Sequence, residues 1–338
     1  MSETVLVTGG TGYVGGWCIV ELLRRGYSVR TTLRNLSKEG AVRAAVASEV
    51  DANNRLSFFA ADLTKDEGWD AALAGCDYVL HVASPLGGSD PKDKESLVAP
   101  ARDGTLRVLR AATTAGAKRV VMTSAATVAT PPMSSPDRIS DETVWFDPRE
   151  DVDAYRHSKR LAERGAWGFM KSYRGSTTLT TVLPGAVFGP ILTVDDTSST
   201  QVIGRLLQGR VPANPRLGLE IVDVRDLADL HIRAMTSPNA AGERFLGVGE
   251  FKWMAEISQT LRSQLGTAAS KVPTRNMPDF LFRTLALFDP SIRAMTPRLG
   301  KMHRHTAAKA QRLLEWQSRP ATTTLVDCAK SLIAKHAI

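Results

Sequence analysis

Short apolar runs alternate with stretches of helical period through the first half of the chain. Residues 4–8 form a brief β-rich run, and a helical pattern follows over residues 12–25, with Val14, Ile19, Leu22 and Leu23 on one face. Further strand patterns fall at 27–34, 56–60, 78–82 and 119–123, with helical patterns around 37–49 and 91–115 between them. Strands alternating with helices predict βαβ units and a parallel sheet. Right-handed crossovers would place helices on both of its faces.

After residue 184 the alternation weakens. Residues 185–200 read as loop, rich in Gly, Pro, Ser and Thr. Residues 222–235 read as a short strand entering a helix, and 244–248 as another strand. From 273 to the end the pattern is mostly helical and basic, with Arg293, Arg298, Lys301, Arg304 and Lys309. The expected fold class is α/β: a Rossmann-type doubly wound parallel sheet over residues 1–184, also receiving about 222–248. A smaller C-terminal substrate-binding unit would comprise 185–221 and 249–338.

The composition changes this picture little. Hydrophobic residues make up 43% and charged residues 23% of 338, which is ordinary globular usage and excludes a disordered or fibrous chain. Lys+Arg exceed Asp+Glu by 43 − 35, a net charge of +8, which favours acidic ligands without choosing among them. Cys18, Cys76 and Cys328 are far apart and form no CxxC pair, so a reducing compartment is expected. No apolar run reaches the roughly 18 residues of a membrane span. With no basic stretch ahead of the first strand, a cytoplasmic location is expected.

Chemistry first shows in the turn after the first strand. Gly9, Gly12 and Gly15 have G-x-x-G-x-x-G spacing, with Thr11, Tyr13 and Val14 between them. Glycines there let backbone N–H groups and a helix N-terminus approach a pyrophosphate. The second strand ends at Arg34, with Lys38 close by. An acidic residue at that place would accept from a ribose 2′-OH, whereas an Arg suits a 2′-phosphate. The expected cofactor is therefore NADP(H) rather than NAD. Asp62 and Leu63, after the third strand, are placed to border the adenine, although Asp62 equally fits a helix N-cap.

Of five tyrosines, only Tyr155 has a lysine, Lys159, four residues on. On a helix that spacing puts phenol and ammonium on one face. Ser124 stands just past the strand at 119–123, where open parallel sheets bind ligands. Reduction of a carbonyl leaves an alkoxide that needs a proton. Tyrosine, with an ordinary pKa of about 10, needs a neighbouring cation to serve near neutrality. A serine hydroxyl can polarise the carbonyl oxygen.

With these residues the chain resembles the extended short-chain dehydrogenase/reductase family, and more closely its dihydroflavonol-reductase-like branch, which includes bacterial aldehyde and ketone reductases. The string Tyr155-x-x-Ser158-Lys159-x-Leu161-Ala162-Glu163, with Trp167 after it, looks like that branch's catalytic helix. Asp141-Glu142-x-x-Trp145 is a second shared string, and Val222-Asp223-Val224-Arg225-Asp226-Leu227-Ala228 a third. His81-Val82-Ala83-Ser84-Pro85 resembles the stretch that contacts the nicotinamide ribose. Leu183-Pro184-Gly185-x-Val187-x-Gly189-Pro190 resembles the loop flanking the nicotinamide. The motifs span about residues 4–248, and residues 307–316 match more loosely.

The resemblance implies a catalytic triad of Ser124, Tyr155 and Lys159, with Lys159 also binding the nicotinamide ribose. It implies a pyrophosphate cradle at Gly9, Gly12 and Gly15, a 2′-phosphate held by Arg34 and Lys38, and further cofactor contacts from Val82, Ala83, Ser84, Pro184, Gly185 and Val187. The implied activity is NADPH-dependent reduction of a small-molecule aldehyde or ketone. Ala125, directly after the serine, departs from the larger β-branched residue of some relatives, and the small Pro- and Ser-rich stretch 129–135 argues against transferring flavonoid specificity. By position, Pro85, Leu86, Thr127, Phe188 and Gln201 are candidate substrate walls.

Alternatives within the same fold are a hydroxysteroid-type dehydrogenase and a nucleotide-sugar epimerase or dehydratase; Arg34 opposes the epimerase, which uses an acidic residue there. A dinucleotide-binding redox sensor is the non-enzymatic alternative, opposed by the Tyr/Lys pair. Ser124 lies in no G-x-S-x-G elbow. His303-x-His305 lacks an evident third metal ligand, so no metal is expected. His157 lies off the Tyr/Lys face and reads as a surface group. The basic C-terminal third lacks the basic–aromatic alternation of a nucleic-acid platform. Neither nucleic acid nor membrane is an expected partner, and the chain is expected to be a monomer or homodimer.

Overall fold

The structure is a computed structural model that describes residues 2–84, 95–132, 135–145, 154–194 and 199–338. Along the chain run β1 (Thr4–Val7), α1 (Tyr13–Arg24), β2 (Ser28–Leu33), α2 (Glu39–Ala47), β3 (Leu56–Ala60), α3 (Trp69–Leu73), β4 (Tyr78–His81), α4 (Glu95–Thr114) and β5 (Arg119–Thr123). Then come β6 (Ile139–Ser140), α5 (Ala154–Ser172), β7 (Thr178–Pro184), β8 (Ala186–Phe188), α6 (Thr200–Leu207), β9 (Gly218–Asp223), α7 (Val224–Thr236) and β10 (Arg244–Gly247). The C-terminal part holds β11 (Phe251–Trp253), α8 (Met254–Leu265), α9 (Asp279–Phe288), α10 (Pro290–Met295), β12 (Arg304–His305), α11 (Ala308–Leu314) and α12 (Ala321–Ala334).

Seven strands form one sheet in the order β10-β7-β5-β4-β1-β2-β3. Every pair in it is parallel, with Val5 opposite both Val29 and Tyr78. Successive side chains of a strand point to opposite faces, and a parallel sheet buries both. Accordingly Val5 and Val7 enter a core with α1, α2 and α7, while Leu6 enters another with α3, α4 and α5. This is the Rossmann-type doubly wound sheet that the alternation of patterns implies.

The strand β7 had no counterpart in the strand patterns. Three threonines among its seven residues, Thr178, Thr180 and Thr181, dilute the apolar signal. Threonine is β-branched and suits a strand. Inside the sheet the buried hydroxyls find partners: Thr180 donates to the Ala240 carbonyl at 2.5 Å and Thr181 to Glu163 at 2.8 Å. Residues 185–200 are likewise not all loop, since β8 lies within them.

A second sheet, β11-β9-β8, stands beside a third core in which Phe188, Ile203, Ile221, Ile257 and Leu325 meet. Charged clasps join this part to the large sheet. Arg225, at the start of α7, donates to Asp223 and to Asp327 of α12, each at 2.7 Å. Asp226 accepts from Arg319, which precedes α12, at 2.6 Å. Among the described residues no helix is long and apolar enough to cross a membrane.

Candidate active site

One cleft of about 1500 Å³ runs across the C-terminal ends of the central strands. Its floor begins at the turn between β1 and α1. Gly9 sits at φ +77°, a conformation that costs glycine nothing. The Gly12 amide donates to the Gly9 carbonyl at 2.9 Å. A Cβ on Gly15 would lie 2.5 Å from that same carbonyl oxygen, so α1 packs on the turn only with glycine there. The helix opens at Gly12 with no side-chain cap and no acidic residue in its first turn. Its positive end therefore faces the cleft with no acid in its own first turn to neutralise it.

Buried groups brace this turn. Thr8 Oγ1 accepts from the Ala83 amide at 3.0 Å and lies 3.0 Å from His81 Nδ1, while His81 Nε2 lies 3.3 Å from Thr105. Burial, and then the Lys159 charge, press His81 down to about 3, so its imidazole stays neutral. At the far end Arg34 and Lys38 are exposed and line the cleft just past β2. Asp62 lines it too, but caps no helix: α3 begins at Trp69 behind Gly68. Its carboxylate instead accepts from the Thr64 amide and hydroxyl, each at 2.8 Å, which holds it below the usual carboxylate range. The turn that a Cβ would obstruct, the uncapped helix and the two terminal cations together fit a dinucleotide carrying an extra phosphate.

The other end of the cleft gathers the remaining chemistry. Tyr155 and Lys159 lie one turn apart on α5 and Ser124 follows β5, and all three line the cleft. Tyr155 is 38% exposed, whereas Ser124 and Lys159 are buried. The Lys159 ammonium donates to the Thr123 carbonyl at 3.2 Å. Burial lowers it to about 8, against a smaller upward pull from Glu163. The Ser124 amide is tied to the Val182 carbonyl at 2.7 Å. Its hydroxyl donates to Glu163 at 2.6 Å and so points its one proton at a carboxylate, not into the cleft. Glu163 belongs to the helix motif, but its contact with a serine 39 positions away has no signal in the sequence.

Val82, Ala83, Ser84, Pro184, Gly185 and Val187 line the same cleft, with Thr11, Gly12, Tyr13, Val14 and Leu63. Thr127 and Gln201 line it as well. Phe188 does not: the pleat of β8 turns it away, fully buried, into the third core. Pro85 and Leu86 lie outside the described residues. Leu219, Glu220, Phe251, Lys301 and His305 line the cleft instead. His305 faces Glu220 through Nδ1 at 2.5 Å and Thr130 through Nε2 at 3.0 Å. These contacts join residues far apart in sequence, so no motif could signal them. His157, expected at the surface, is half-buried, with Nδ1 at 2.7 Å from Arg160.

Residues 5–248 match a model of the NAD dependent epimerase/dehydratase family. Cinnamoyl-CoA reductase 1 of Oryza sativa subsp. japonica is 36% identical over 264 residues, 77% of this chain and 75% of that protein. Ketoreductase azaE of Aspergillus niger is 30% identical over 313 residues, 86% of this chain and 91% of that protein. The crystal structure of Gre2 in complex with NADPH from Candida albicans shares the fold, with a TM-score of 0.83 at 24% identity and 99% of each chain covered. The chain belongs to the NAD dependent epimerase/dehydratase family of extended short-chain dehydrogenases/reductases, on the dihydroflavonol-reductase-like branch.

Proposed function

We propose that this protein is an NADPH-dependent carbonyl reductase that converts aldehydes or ketones to alcohols. One observation carries the reading: one cleft is lined both by a tight glycine turn with the cations Arg34 and Lys38 and by Ser124, Tyr155 and Lys159. The reductase names of the relatives support the same reaction class. Gly9, Gly12 and Gly15 would hold the pyrophosphate, Arg34 and Lys38 the 2′-phosphate, and Lys159 the nicotinamide ribose. The cofactor, when bound, supplies the hydride.

The chain's own residues then manage the proton. Tyr155 reaches the cleft from the first turn of α5 and gives its phenolic proton to the carbonyl oxygen as that oxygen gains charge. Lys159, one turn on, places a buried positive charge near the phenolate left behind. Opposite charge within a few ångströms favours the ionised form, most strongly where water is scarce. The buried Thr123 carbonyl holds Lys159, and Ser124 holds Glu163, at the end of β5. The unit built on the third core adds Leu219, Phe251 and His305 to the cleft lining and is read as the substrate-binding part, with residues 185–221 and 249–338.

The test is loss of nicotinamide absorbance with NADPH, and separately NADH, over a panel of aryl aldehydes, aryl ketones and β-keto esters. NADPH should be consumed much faster. Tyr155→Phe should keep cofactor affinity while turnover falls on the order of 100-fold or more. Retained turnover in Tyr155→Phe would refute the assignment.

A further inference from the structure

Tyr155, Lys159 and Glu163 succeed one another every fourth residue and form one stripe on α5. The first two have roles in the proposed reaction; the third has none assigned. Yet Glu163 is fully buried, and a carboxylate is seldom buried without compensation. Its compensation is unusually complete. Oε2 accepts from the Ser124 hydroxyl at 2.6 Å. Oε1 accepts from the Thr181 hydroxyl at 2.8 Å and from Arg244 Nε at 2.9 Å. Arg244 is itself locked: it donates to the Glu142 carbonyl at 2.5 Å and the Val144 carbonyl at 3.1 Å, and its guanidinium lies 3.7 Å from the Trp145 ring centroid. Glu142 closes the frame by accepting from the Leu246 amide at 2.9 Å. The Asp141-Glu142-x-x-Trp145 string thus finds a purpose as the seat of Arg244.

We propose that Glu163, seated by Arg244 and Thr181, is a positioning residue of the active site that fixes the Ser124 hydroxyl and sustains the charge of Lys159. The proposal rests on the reductase reading for its kinetic consequences, but not for its geometry. A serine hydroxyl has one proton and three staggered positions. A short bond to an ionised acceptor selects one of them. Without it the serine side chain, which lines the cleft, is no longer held in a single rotamer. The same carboxylate lies one turn from Lys159 and opposes the effect of burial on it. Among the described residues, His81 from β4 also feels the Lys159 charge, Tyr155 stands one turn before it on the same helix, and Arg244 from β10 stands behind the carboxylate.

The experiment compares wild type with Glu163→Gln. Expected are a kcat lowered about tenfold or more, with KM and NADPH affinity held within about twofold. The alkaline midpoint of kcat/KM against pH should move to lower pH, because Lys159 loses its supporting anion. A correctly folded Glu163→Gln with unchanged or raised kcat, or with an unmoved alkaline midpoint, overturns the proposal. Glu163→Gln leaves Arg244 without its anion and can fail to fold. In that case Thr181→Val, which strips one donor and keeps both charges, should lower kcat several-fold in wild type and less than about twofold in a Ser124→Ala background. An equal loss in both backgrounds overturns the link to the serine. A wild-type chain that reduces no carbonyl sinks the reductase reading instead. Urea unfolding across pH then decides the Lys159 link alone: the window over which Lys159 alters stability starts at lower pH in Glu163→Gln if the link holds, and stays put if it fails.

Discussion

Replacing Lys159 by Met offers the sharpest check on the electrostatics of the site. The ordinary lysine value is 10.5, and burial lowers this ammonium to about 8. Between those two pH values the unfolded chain binds the proton and the folded chain does not. Stability then rises with pH, because unfolding takes up a proton. Each pH unit is worth about 1.4 kcal/mol, so the full interval is worth roughly 3 kcal/mol. The native state bears that cost below pH 8 and is relieved of it as pH climbs to 10.5. Urea unfolding of wild type and Lys159→Met, from about pH 7 to 10.5, isolates the effect. The variant also frees the Thr123 carbonyl, but that offset does not depend on pH, so only the slope of the difference matters. The stability difference should be flat below pH 8 and then change by roughly 3 kcal/mol in favour of wild type. A difference that stays flat throughout would refute a Lys159 that is buried and reluctant to hold its proton.

The cofactor end and the acid limb give further checks. Arg34→Asp should reverse the preference from NADPH towards NADH by removing the cation suited to a 2′-phosphate; an unchanged NADPH/NADH ratio of kcat/KM removes Arg34 from that site. Gly15→Ala places a Cβ 2.5 Å from the Gly9 carbonyl oxygen, a backbone atom that cannot swing aside, so calorimetry should show NADPH affinity falling on the order of tenfold or more, and wild-type affinity would contradict the tight turn. His81 is held neutral down to about pH 3 and His231 to about pH 4. Both histidines then bind protons only on unfolding, so stability should fall as pH drops below 6.5, and urea midpoints that are level from pH 6.5 to 4 would contradict this.

The arrangement explains why Ser124, Tyr155 and Lys159, from two elements, line one cleft. β5 and α5 are both fixed by the sheet before the site is considered. Thr123 and Ser124 continue β5 into the cleft, and α5 packs along α4 with its polar stripe turned to the strand ends. Lys159 and Glu163 point inward because that face is the buried one, and each is satisfied there by a group from β5, β7 or β10.

The sequence by itself determined what depends on near neighbours. The period of apolar positions settles β1, α1 and the alternation through β5, because strand and helix repeats are local properties. Glycine spacing marks the turn at Gly9–Gly15, since Gly9 takes a positive φ and a Cβ on Gly15 would meet the Gly9 carbonyl. Four-residue spacing on a helix brings Tyr155 to Lys159. Tertiary structure alone decided what depends on distant partners. Threonine-rich β7 is a central strand because β5 and β10 flank it and Ala240 and Glu163 receive its hydroxyls. Phe188 left the cleft wall because β8 pairs with β9 and its pleat faces the third core. Ser124 and Glu163, 39 positions apart, meet only after α5 docks on the sheet. A single sequence carries the residue types for these contacts but not their pairing, because a buried polar group finds its partner through the packing of whole elements.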